Sequence, residues 1–133
     1  MCRYLIAATL LCSAAPALAQ PQPAAPPQQP ACLVQRNIYD YHPVPGNRSL
    51  VVTDLARQRY RVNFVTPCYD IQYNLSLRFK TNGVTALSCV TKGDQVLFNN
   101  PAGPGFCLIR DVEYQTPAMD QQDAAAAAAR KQH

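Results

Sequence analysis

The chain has 133 residues, with twelve Lys and Arg against eight Asp and Glu and a formal net charge of +4. That mild excess suits solubility and loose attraction to anionic surfaces, and falls short of the charge a dedicated nucleic-acid binder concentrates. No stretch approaches the roughly 20 apolar residues of a membrane-spanning helix.

The first twenty residues, MCRYLIAATLLCSAAPALAQ, join an early charge at Arg3, an apolar run from Tyr4 to Leu11 and small residues ending in Ala17-Leu18-Ala19. This is the pattern of a bacterial secretory signal peptide over residues 1–19, cut before Gln20. Acylation of Cys12 fits less well, because the preceding TLL lacks the small residues such a site needs. Loss of Arg3 leaves eleven basic against eight acidic residues, a mature charge of +3. Residues 20–31, QPQPAAPPQQPA, have no periodic apolar face and read as an extended, solvated linker.

A single domain over residues 32–117 follows, small enough that burial alone leaves little margin of stability. Its pattern is all-β. RYRVNF alternates Tyr60, Val62 and Phe64 with Arg59, Arg61 and Asn63, so one set faces a core and the other faces water. LSLRFK repeats this, with Leu75, Leu77 and Phe79 inside and Ser76, Arg78 and Lys80 outside. Asn82-Gly83 is a hairpin signal, and Gly93-Asp94 marks the next reversal, where the short carboxylate can accept backbone N–H bonds. NNPAGPG reads as a loop before the closing strand FCLIRDVEY. With CLVQRNIYDY and SLVVTD, six to seven short strands are expected, in a small antiparallel barrel or sandwich. Residues 118–133 carry six consecutive alanines, with Asp120 and Asp123 near the start and Arg130 and Lys131 near the end. Those charges suit a helix dipole, but a lone helix this short is marginal in water, so a disordered or fraying tail is expected.

Four cysteines remain after export, Cys32, Cys68, Cys89 and Cys107, an even set that reads as a disulfide framework. Of the three connectivities, position favours Cys68 with Cys89, tying a loop to a strand, and Cys32 with Cys107, clasping the domain ends. The paired C-x-x-C spacing of zinc sites does not occur, and no histidine stands in a catalytic motif with a cysteine.

The same chain order resembles a family of small secreted bacterial proteins classed as a domain of unknown function. The resemblance rests on Cys32, Asp54, the alternating Tyr60-to-Phe64 strand, Cys68, Cys89 with Asp94, and Cys107, and covers most of Cys32 to Tyr114. It implies a stapled β-fold and export, and carries no mechanism.

Three constellations bear on function. Arg59, Arg61, Arg78 and Lys80 would form one basic stripe for phosphate or carboxylate groups if their strands pack on the same sheet; the plainer outcome is a solvated face. CYDIQYN presents Tyr69, Asp70 and Tyr73 beside a cysteine, as a contact loop or as a lid over the barrel end. Asp40 and His42 in YDYHP are too few to make a metal or proton-transfer site. Catalytic Ser-His-Asp order and phosphate-binding glycine loops are absent. No enzyme activity, cofactor, metal or nucleic-acid partner is expected. The expectation is a monomeric, non-enzymatic envelope module, periplasmic or extracellular, binding an anionic polymer, a lipid or a protein. The rival is a secreted hydrolase inhibitor using VTKGDQ or CYDIQYN as its loop. An unrecognised hydrolase would need a pocket with perturbed carboxylates among Asp40, Asp70, Asp94, Asp111 and Glu113.

Overall fold

The computed structural model of the chain describes residues 30–73, 76–83 and 87–132. The expected signal peptide and nearly all of the linker lie outside these residues, as do Leu75 and the side chain of Tyr73.

The fold is all-β with one terminal helix. Its strands are β1 (Leu33–Val34), β2 (Ile38–Pro43), β3 (Ser49–Asp54), β4 (Arg59–Phe64), β5 (Ser76–Lys80), β6 (Cys89–Val90), β7 (Gln95–Asn100) and β8 (Gly103–Tyr114), followed by α1 (Pro117–Arg130). Six of them form one curled antiparallel sheet in the order β2-β3-β4-β8-β7-β5, an open half-barrel, while β1 and β6 pair separately.

Period-two alternation places the core as expected. Tyr60, Val62 and Phe64 are buried beside Leu50, Val52, Phe79, Val96, Phe98 and Ile109, and Leu77 packs at the margin. Within β8 the register slips between Asn63 opposite Asp111 and Phe64 opposite Ile109. The extra residue is Arg110, so Arg110 and Asp111 both leave the core side between Ile109 and Val112.

Four local expectations change. Asn82-Gly83 does not join paired strands, because β5 pairs with β7 and the intervening β6 leaves to pair with β1. Asn82 instead donates its N–H to Asp94 Oδ1 at 2.8 Å. Asp94, 2 % exposed, also accepts from Thr91 N at 2.8 Å, so the carboxylate organises its own turn and pins the Asn82 loop to it. The glycine-rich NNPAGPG contributes the start of β8, with Pro104 opposite Asn99. Proline is tolerated because β4 pairs with β8 only from Ile109 onward, leaving that part of β8 an edge. Gly105 sits under the Phe98 ring, where a Cβ would come within 2.5 Å of Cε2.

The disulfides are Cys32–Cys89 and Cys68–Cys107, which corrects both expected bridges. The cause is strand pairing: Val34 lies opposite Cys89 in the β1–β6 ladder, bringing Cys32 to it. After β4 the chain turns so that Cys68 N donates to Asn47 O at 2.6 Å, and this holds Cys68 against Cys107 of β8.

The alanine-rich tail is helical and docked. Thr116 caps α1 by accepting from Met119 N at 3.3 Å, with Pro117 in the first turn. The marginal stability of a lone helix is offset by ion pairs to the sheet. At the far end, the Arg130 guanidinium reaches Gly46.

Candidate functional site

The strands of the expected basic stripe do share one sheet, but its strand order splits the stripe. Two strands, β8 and β7, stand between β4, which carries Arg59 and Arg61, and β5, which carries Arg78 and Lys80. The two halves meet different fates.

Arg59 and Arg61 lie under α1. Arg59 Nη1 donates to Asp120 Oδ2 at 2.6 Å, and Arg61 pairs with Asp123. Gln115 stitches the two: Arg61 Nε donates to its Oε1 at 2.9 Å, and its Nε2 donates to Asp120 Oδ1 at 3.0 Å. The hydrogen bond from Arg59, then that from Gln115, holds the Asp120 carboxyl below its ordinary pKa. Two residues beyond Arg61 on β4, the outward Asn63 is buried instead of solvated. Its Oδ1 accepts from Ser49 Oγ at 2.6 Å, while its Nδ2 donates to Asp111 at 2.6 Å and to Glu113 at 2.8 Å. Burial pushes the Asp111 pKa up, yet the hydrogen bonds from Asn63 and Arg110 outweigh it and hold the carboxyl below its ordinary value.

Arg78 and Lys80 are exposed, and neither forms an ion pair with a described residue. In register, Arg78 lies beside Leu97 and Leu97 beside Phe106; Lys80 lies beside Gln95 and Gln95 beside Leu108. Phe106 and Leu108 point outward from the edge portion of β8, and Val65 and Tyr69 follow on the segment leaving β4. All four are large and open to solvent, at 59, 43, 56 and 66 % exposure. They line or border a groove of about 470 Å³ between Val65–Asp70 and Pro104–Leu108, floored by Cys68 and Cys107. A second hollow of about 270 Å³, lined by Arg78, Leu97, Asn99 and Pro104, adjoins it through Phe98, Pro104 and Gly105. Arg78, Lys80 and Tyr69 are thus brought to one apolar and basic surface, whereas Arg59 and Arg61 are not. Tyr69 is exposed and does not lie as a lid; Tyr73 falls outside what is described of side chains.

Phe106, Leu108 and Val65 were not among the expected binding residues. The signal for Phe106 and Leu108 is FCLI, a strand apolar in both phases, which a single buried face does not require. The remaining candidates stay apart. Asp40 accepts from Tyr41 N at 2.8 Å, and both Asp40 and His42 are exposed on β2. Among the described residues no three His, Cys, Asp or Glu side chains gather as metal ligands. Of the five candidate carboxylates only Asp111 and Glu113 meet, sharing the Asn63 amide. No described helix is long and apolar enough to cross a membrane.

No curated protein and no solved structure matches this chain. A family model does, over residues 1–133: the chain belongs to a family of unknown function, DUF6491.

Proposed function

We propose that this protein is an exported, non-enzymatic binding module of the cell envelope that docks on an anionic lipid surface. The observation that carries this reading is the open surface that combines exposed Val65, Tyr69, Phe106 and Leu108 with Arg78 and Lys80, neither of them ion-paired to a described residue. Contiguous exposed apolar surface marks an interaction site, and amphipathic side chains flanked by cations suit the headgroup boundary of an anionic membrane. The leader-like residues 1–19, the Pro-rich linker and the two disulfides support a place outside the cytoplasm, with the linker as a spacer.

Co-sedimentation with vesicles of phosphatidylglycerol and phosphatidylcholine, against phosphatidylcholine alone, tests it. Each cation near such a surface contributes about 1 kcal/mol, so Arg78→Gln with Lys80→Gln should weaken binding by about tenfold or more. Phe106→Ser with Leu108→Ser should weaken it on both compositions. Equal binding by wild type and Arg78→Gln/Lys80→Gln at low salt would sink the proposal.

The rival reading, a hydrolase inhibitor, draws on Tyr69, which protrudes on a turn anchored by the Cys68–Cys107 bridge. It predicts that a protein enzyme, and no vesicle, is retained by the immobilised domain, and that Tyr69→Ala releases it.

A further inference from the structure

The second basic pair, two strands away across the outward side of the same sheet, points to a different ligand. Arg59 and Arg61 are two residues apart on β4, which separates them by about 6.5 Å along the strand. Asp120 and Asp123 are three residues apart on α1, about 4.5 Å along its axis. With Gln115 bridging both carboxylates, the strand reads one turn of an acidic helix as a two-point anion. Apart from the Arg130 guanidinium at Gly46, little else holds that helix down. None of its residues is buried; Met119, Asp120, Asp123 and Ala127 are half-buried on the sheet side, and the alanines offer hardly any apolar volume. The join to β8 is only Gln115 and Thr116.

We propose that the Arg59–Arg61–Gln115 face is a second binding site, for an acidic helix of a protein partner with two carboxylates one turn apart, and that α1 occupies it until displaced. The chain's own helix displays the geometry and charge that the partner must match. Its attachment by two ion pairs, the Arg61–Asp123 one part-buried and the Arg59–Asp120 one more open, without a packed apolar face, makes exchange feasible. This goes beyond lipid docking, because it uses other strands and a ligand of another class.

The test uses the full chain and a fluorescein-labelled, end-blocked peptide copying residues 116–132 as the acidic helix. Asp120→Asn with Asp123→Asn should unlatch α1, so that this variant binds the peptide about three- to tenfold more tightly than wild type at low salt. Adding Arg59→Gln and Arg61→Gln should remove the gain, and a peptide with Asn at both Asp positions should not bind. Equal affinity for wild type and Asp120→Asn/Asp123→Asn, or a gain that survives loss of both arginines, overturns the proposal. Amide exchange provides a readout independent of the arginine variants. In Asp120→Asn/Asp123→Asn the α1 amides should lose protection while those of β4 and β8 keep theirs; α1 amides protected as in wild type overturn it equally.

Discussion

Asn63 shows how a correct strand phase can hide an incorrect environment. The alternation of RYRVNF places it opposite the core, as it is, but Ser49, Asp111 and Glu113 close over it from neighbouring strands. Those partners lie 14, 48 and 50 residues away in sequence, beyond the reach of a local pattern. Removing the amide would leave the Ser49 hydroxyl without its acceptor and the two carboxylates facing one another without the donor they share. Asn63→Ala should therefore cost about 1 to 3 kcal/mol, and Asn63→Asp more, since a third carboxylate would join the pair. Urea unfolding measures both, and a loss below about 0.5 kcal/mol for Asn63→Ala would show that water replaces the amide. Asp94 is the contrasting case, legible because its main bonds fall within its own turn: Gly93 adopts a φ of +88°, and Thr91 is three residues away. The tie from Asp94 to Asn82, twelve residues distant, was not readable from turn chemistry.

Among elements, α1 departs furthest from its isolated propensity. Six alanines give it intrinsic helicity, but without tertiary anchors a 14-residue helix remains near the margin. The anchors, Arg59 and Arg61, were legible only as outward charges, since nothing in a strand pattern names the acidic segment that will meet them. The same gap explains the disulfides, because connectivity follows from β1 pairing with β6, a two-residue ladder with no periodic signal of its own. The helix anchor carries a pH dependence with a definite sign. Asp120 has its pKa lowered in the folded chain, so its ionised form contributes to docking above the unfolded value of about 3.9, and that contribution is lost as pH falls through the lower folded value. In an acid titration followed by NMR, the α1 amides should shift with the Asp120 carboxyl below about pH 4. In Asp120→Asn this step should be absent. An Asp120 that titrates at its ordinary value, with α1 unmoved, would separate the helix from the carboxylate.

At the scale of the molecule, the open half-barrel depends on two covalent clamps placed at different jobs. Cys32–Cys89 spans 57 residues and ties the short β1–β6 pair, while Cys68–Cys107 spans 39 and fixes the segment leaving β4 against the edge portion of β8. On the chain-entropy model each restricts the unfolded state by about 4 kcal/mol, so the two should matter similarly for stability. They should differ in function. Only Cys68–Cys107 lies in the floor of the groove that sets Val65 and Tyr69 beside Phe106 and Leu108. Replacing Cys32 and Cys89 by Ser should lower the unfolding midpoint yet leave vesicle binding per folded molecule near wild type. Replacing Cys68 and Cys107 by Ser should lower the midpoint comparably and also weaken vesicle binding, because the exposed side chains lose their fixed spacing and docking must reorder them. The comparison is made at a temperature where circular dichroism shows both variants folded, by co-sedimentation at low salt. Equal binding by the two variants would mean that the apolar groups dock independently of the groove, and would detach the bridge from the binding face.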